Sequence, residues 1–280
     1  MKNFFVFSNF FIDTEERFLR LKDSFFSFNK ANISEWLINI RGDFKNEVKN
    51  FLEENVTENL KIFFLESKEG WIEDSLEVIK NNNSDIIFFW VEDHICTANF
   101  SKINSVVNEM YENKIDYLTY SFFHKGASLD PLEVIDYEKK KEINFFMYNF
   151  ENYNKIKNWY RKEDIAPEYL ISCCSFMSIE FFKKNLLQSR KKNKYNKMLP
   201  FNFEKSFSES EILPFKNAIL NKEMFVSIDD DNDERGYSLI SRGKYPNRVS
   251  RKEMVNTRKS KIKVFGQGLF SKIINKFFKS

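Results

Sequence analysis

The sequence predicts an α/β fold: a doubly wound, mainly parallel sheet followed by a less regular second half. Three observations lead to it. Short apolar runs rich in β-branched and aromatic residues alternate with segments of helical period through the first 125 residues. The run Ile86 to Val91 is apolar at every position, as in a strand covered on both faces. At 280 residues the chain is also long enough to bury a full core without disulfides.

Each element follows in order. Phe4 to Ser8 reads as the first strand, Thr14 to Phe28 as a helix with Glu15 and Glu16 in its first turn, and Glu35 to Arg41 as the second strand. Asp43 is placed as a helix cap, and Phe44, Val48, Phe51 and Leu52 line one face of the helix Phe44 to Glu54. Leu60 to Leu65 is a third strand, Trp71 to Asn81 a helix, Ile86 to Val91 a fourth strand, Phe100 to Asn113 a helix and Ile115 to Phe123 a fifth strand. Helical crossovers between such strands build a right-handed doubly wound sheet.

The alternation breaks after Lys125. Gly126 to Lys141 is polar, Ile143 to Phe150 reads as a strand and Tyr153 to Arg161 as a short helix. Tyr169 to Ser178 reads as a buried strand and Ile179 to Gln188 as a helix. Ser189 to Asn196, with four cations and no acid, reads as a solvated loop. Ser208 to Asn221 is expected to be a helix interrupted by Pro214, and Met224 to Ile228 a strand leading into the acidic run Asp229, Asp230, Asp231 and Asp233.

With 44 basic and 41 acidic residues the net charge is +3, so no whole-chain field argues for nucleic acid. The three cysteines lack metal spacing and read as reduced, buried thiols. The apolar start, Met1 to Ile12, runs into Asp13, Glu15 and Glu16 without a basic leader or cleavage site, which favours a first strand over a signal peptide. The basic segment Thr257 to Ser280 carries seven Lys or Arg residues and no acid. Its Leu269, Phe270, Ile273, Ile274, Phe277 and Phe278 recur at helical spacing, which suits an amphipathic helix on an anionic membrane surface or docked on a protein.

The chemistry concentrates where the fourth strand stops, at Glu92, Asp93 and His94. Two carboxylates beside an imidazole can hold Mn2+ or Mg2+, and such an ion neutralises a diphosphate. In an extended backbone Glu92 and His94 point to one side and Asp93 to the other.

Residues 60 to 94 resemble the donor-binding half of nucleotide-sugar-dependent glycosyltransferases of the GT-A fold, especially the family 2 type. Leu60 to Ser67 stands for the third strand and its polar end, Gly70 for the glycine and Trp71 to Lys80 for the helix. Glu92-Asp93-His94 stands for the acidic signature as acid-x-His. The second strand departs from the pattern, ending in Arg41-Gly42-Asp43 where the family usually has paired acids.

The resemblance implies a Rossmann-like nucleotide-sugar-binding half over 1–125, an acceptor half of the same domain over 126–256 and the basic tail over 257–280. It implies metal ligation by Glu92, Asp93 and His94. Ser8, Arg41, Asp43, Ser67, Gly70 and Asp93 surround the nucleotide, with Arg242 folding over phosphate from the loop Ser241 to Arg248. The general base is Glu204 or Asp230. Sugar then passes to a glycan or lipid-linked acceptor at the cytoplasmic membrane face. The competing expectation is a catalytically silent module of the same fold that binds a glycan or the membrane.

Overall fold

The computed structural model describes residues 2–57, 59–82, 84–119, 131–162, 174–192, 212–229 and 236–247. Two compact units divide between Val226 and Ser227.

The first unit opens with β1 (Phe4–Phe11), α1 (Glu15–Phe28), β2 (Ile33–Arg41), α2 (Lys45–Asn55), β3 (Asn59–Phe63), α3 (Trp71–Val78) and β4 (Ile86–Phe89). It continues with β5 (His94–Cys96), α4 (Phe100–Glu112), β6 (Tyr117–Thr119), β7 (Glu138–Lys139), β8 (Ile143–Tyr148) and α5 (Phe150–Lys162). Last come β9 (Ser175–Ser178), α6 (Ile179–Lys192), β10 (Phe215–Leu220) and β11 (Phe225–Ser227), the strand on which the unit boundary falls.

Among the described residues nine strands form one sheet in the order β3-β2-β1-β4-β9-β6-β10-β8-β7. The β3, β2, β1 and β4 strands are mutually parallel. Beyond β4, β9 runs antiparallel to both β4 and β6; β10 is parallel to β6, and β8 antiparallel to β10. The expected α/β class with a mainly parallel sheet is therefore present.

Alternation along β1 feeds two cores. Phe4, Val6 and Phe10 face α1, α2 and α4 through Phe25, Phe28, Leu52 and Val106; Phe5 and Phe7 face the other way, toward Trp71 of α3 and Phe182 of α6. Seven of the eight β1 residues are buried, as expected of a strand covered on both faces.

Several expectations need correction. The helix expected over Ser208 to Asn221 is, in its described part, the strand β10: Phe215, Ala218, Ile219 and Leu220 are buried between β6 and β8, and tertiary pairing outweighs local helical pattern. The first strand runs past Ser8 to Phe11 because β2 pairs with it along its whole length. Asp43 is not the helix cap: Phe44 holds that position and makes no side-chain capping bond. The fourth strand ends at Phe89, two residues early, and α6 continues to Lys192 into the segment expected as a loop. Of the strand expected over Tyr169 to Ser178, the described part is β9, Ser175–Ser178.

Gly42 is required where it stands. Its φ is +95°, and a Cβ there would lie 2.3 Å from the carbonyl oxygen of Ile12. In the second unit Leu239 and Ile240 donate backbone hydrogen bonds to Ser227 and Ile228, and Ser238 is buried. The tail 257–280 lies outside the described residues, and among those described no helix is long and apolar enough to cross a membrane.

Candidate functional site

The order β3-β2-β1-β4 reverses direction of growth between β1 and β4, since β2 and β3 add on one side of β1 and β4 on the other. Open α/β sheets collect ligands outside the carboxyl ends of strands at such a reversal. The two ends are unequal here. Phe89, the last residue of β4, lies level with Phe7, so β1 projects four residues further, from Ser8 to Phe11. The chain leaving β4 fills that step.

Four hydrogen bonds pin it there. The Trp90 amide donates to the Phe7 carbonyl at 2.9 Å, and the Ser8 hydroxyl donates to the Trp90 carbonyl at 2.8 Å. The Trp90 ring turns back into the core, 4.8 Å from Phe10, and its Nε1 donates to the Ser24 hydroxyl at 2.9 Å. Ser24 in turn donates to the His94 carbonyl. Ser8 is thus buried and engaged with the backbone that carries the acidic signature.

Between β4 and β5 the backbone turns, so the three polar side chains do not alternate as on an extended strand. Glu92 Oε1 lies 3.3 Å from Arg17 Nη1, which also donates to the Phe11 carbonyl at 2.9 Å. Asp93 Oδ1 and His94 Nδ1 lie 2.6 Å apart, with side chains 22% and 14% exposed. Adjacency in a turn, rather than alternate spacing, joins these two groups. Two residues further on, Cys96 is buried and its thiol is pushed up to about 11 by desolvation, partly offset by the Ala98 carbonyl and the Lys102 charge.

Ser67 and Gly70 form a second cluster at the same edge. Gly70 is the N-cap of α3 at φ +95°, and its amide donates to the Ser67 carbonyl at 3.1 Å and hydroxyl at 3.2 Å. The buried Asp74 carboxylate accepts from the Ser67 amide at 3.2 Å. Asn39 of β2 holds the approach to this loop: its Oδ1 accepts from the Leu65 amide at 2.7 Å and its Nδ2 donates to the Leu65 carbonyl at 3.0 Å. The same Nδ2 reaches Asn9 Oδ1 at 2.8 Å, and Asn9 donates to Ser75 of α3 at 2.9 Å. Two buried amides thereby tie β1, β2, the residues after β3 and α3 into one satisfied network.

Arg41 ends β2 almost fully buried, its guanidinium 5.8 Å from the Phe11 ring centroid, and Asp43 lies exposed in the turn that follows. Arg242 belongs to the second unit, where its amide donates to the Ser238 carbonyl at 3.1 Å. Glu204, Asp230, Arg248 and His124 lie outside the described residues. Sequence reasoning missed Arg17, Asn9 and Asn39. Each carried a signal: a cation in the first turn of a helix, where the dipole disfavours it, and amides among the apolar residues of the first two strands.

Among the described residues no three of His, Cys, Asp and Glu converge as they would around an ion. Asp93 and His94 remain as a hydrogen-bonded pair, and Glu92 is drawn to Arg17.

No protein-family model matches the sequence, and no curated protein matches it. Among solved structures, TarS from S. aureus, residues 1–349, is similar at 12% identity and a TM-score of 0.49, over 80% of this chain and 60% of that one. The same TarS fragment in complex with UDP-GlcNAc gives 11% identity and a TM-score of 0.47, over 84% and 61% of the two chains. A197 from STIV gives 16% identity and a TM-score of 0.35, over 82% and 87%. This chain therefore spans about 60% of the length of the TarS fragment, and likeness at these values carries no information about substrate.

Proposed function

We propose that the β1/β4 edge binds a nucleotide diphosphate sugar and that the chain transfers the sugar to a hydroxyl of a glycan or lipid-linked acceptor. The observation that carries this reading is the Asp93 and His94 pair, 2.6 Å apart, placed just beyond β4 at the reversal of strand order. It supports the GT-A resemblance because β3, Ser67, Gly70, α3 and β4 precede the pair in the order that resemblance requires.

Asp93 and His94 would hold Mn2+ or Mg2+. When bound, the ion supplies Lewis-acid neutralisation of the departing nucleotide diphosphate. The chain's own residues do the rest. Ser8, Trp90 and Ser24 fix the backbone bearing the pair, which keeps both side chains oriented before substrate arrives. Arg17 neutralises Glu92 and leaves Asp93 as the acid of the pair. Asn39 and Asn9 set the Leu65 to Gly70 segment, where Ser67 and Gly70 approach the nucleotide. Glu204 or Asp230 accepts the acceptor's proton, and the basic tail holds the enzyme at an anionic membrane surface, where a lipid-linked acceptor is presented.

The Arg17 to Glu92 ion pair favours a second reading, a catalytically silent module of the same fold that binds a glycan or the membrane, because one of the three expected ligands is engaged elsewhere. Donor binding and turnover separate the readings. Nucleotide sugars are titrated with and without Mn2+ into the wild type and into Asp93→Ala and His94→Ala, and transfer is followed in parallel. Binding with Mn2+-dependent transfer, both lost in the variants, supports the enzyme; no binding of any donor supports the silent module.

A further inference from the structure

We propose that a cavity of about 540 Å3 on the outer face of α4, whose lining includes neither Asp93 nor His94, binds a compact phosphorylated ligand. Its walls are the first turns of α4, the turn between β7 and β8, and the residues that follow β10. The walls are fixed to one another by hydrogen bonds. The Asn221 amide donates to the Glu142 carbonyl at 2.9 Å, and Asn221 Nδ2 donates to the carbonyls of Lys140 and Lys141 at 3.1 and 2.8 Å. Glu109 of α4 accepts from the amides of Glu142 and Ile143 at 3.0 and 3.2 Å, and Lys102 Nζ donates to the Lys222 carbonyl at 3.4 Å. The cavity is pre-formed in this sense, which lowers the ordering cost of binding.

Its lining is cationic. Lys102, Lys141 and Lys222 come from three different walls, against a single acid, Glu142, which lies 3.5 Å from Lys141. Burial lowers the proton affinity of Lys102, Glu142 opposes the effect and the charge of Lys222 adds to it. A dianion between Lys102 and Lys222 relieves that repulsion and compensates the lost hydration. Three ammonium groups are compact point charges without the planar fork of arginine, so they match a tetrahedral phosphate better than a bidentate carboxylate. The volume lies within the range of small-molecule sites, roughly 300 to 1,000 Å3, and leaves room for an organic group beyond the phosphate. The hydroxyl of Ser105 adds a polar partner for that group.

Glycerol 3-phosphate is the probe, titrated calorimetrically into the full chain in metal-free buffer at fixed salt, with glycerol as the uncharged control. The expected result is saturable binding of the phosphate, none of glycerol, and at least tenfold weaker binding in Lys102→Ala with Lys222→Ala. Lys222 is exposed, so Lys222→Glu tests the same charge without threatening the fold, and it is expected to abolish binding. Absence of saturable binding by the wild type, or binding retained in both variants, overturns the proposal.

Discussion

The parallel half of the sheet and its mixed half are built on different terms. From β3 to β4 a helix links each strand to the next in sequence, and the central strands are covered on both faces: β1 has one partly exposed residue and β4 none, while the edge strand β3 has no buried residue. From β9 to β7 the strands run in both directions, and β8 exposes Met147 at 45% while Tyr148 stacks on Phe215. A sheet enclosed on both faces gives rigid strand ends, and the candidate site sits on such ends. Antiparallel neighbours are joined by short turns, and the turn between β7 and β8 forms one wall of the cationic cavity beside α4.

If enclosure sets rigidity, truncation should cost far more in the first half. Trp90 is 1% exposed and packs against Phe10, Phe25, Phe28 and Trp36. Trp90→Ala is expected to cost roughly 3 to 5 kcal/mol, and Met147→Ala to stay within about 0.5 kcal/mol, measured by urea unfolding. Equal losses would break the comparison.

The next effect sharpens it at one polar network. Asn39→Ala leaves the Leu65 amide and carbonyl and Asn9 Oδ1 without their present partner, a loss of about 1 to 3 kcal/mol. Hydrogen exchange should rise first in the Leu65 to Gly70 segment, before β2 itself opens. Uniform exchange across the sheet would mean that the network does not localise that segment.

The smallest effect is a pH dependence under the same edge. The folded Cys96 thiol keeps its proton to about 11, while its ordinary value is 9.0, so between these values the native state binds more protons than the unfolded one. Stability from this group therefore falls as pH rises from 9 toward 11 and is unaffected below 9, by on the order of 1 kcal/mol at pH 10. Cys96→Ala should lack this component when unfolding midpoints at pH 8 and pH 10 are compared with the wild type.

The same division governs how much was legible in the sequence. In the parallel half, Phe4, Trp36, Phe88 and their neighbours make runs that only a doubly covered strand accommodates, and Thr14 with Glu15 and Glu16 marks a helix start that the structure reproduces. The candidate site's place just beyond a buried strand was legible for the same reason, since a buried run stopping on Glu92, Asp93 and His94 has an edge to stop at. Its internal geometry was not. Extended spacing paired Glu92 with His94, whereas a turn pairs Asp93 with His94 and leaves Glu92 to Arg17, a residue 75 positions earlier in the chain. In the mixed half, β10 was misread as helix because its identity depends on β6 and β8, which no local pattern in Phe215–Leu220 reveals.

The central claim, that the enclosed edge is a donor site, is tested most directly by thermal shift of the full chain with a panel of nucleotide sugars, with and without Mn2+. Ligand that binds the native state raises its apparent stability. The account predicts that at least one nucleotide sugar raises the midpoint, more so with Mn2+, and that Asp93→Ala and His94→Ala remove the Mn2+-dependent part while unfolding cooperatively. A midpoint unmoved by every donor in the wild type, or an unchanged Mn2+-dependent shift in both variants, contradicts it.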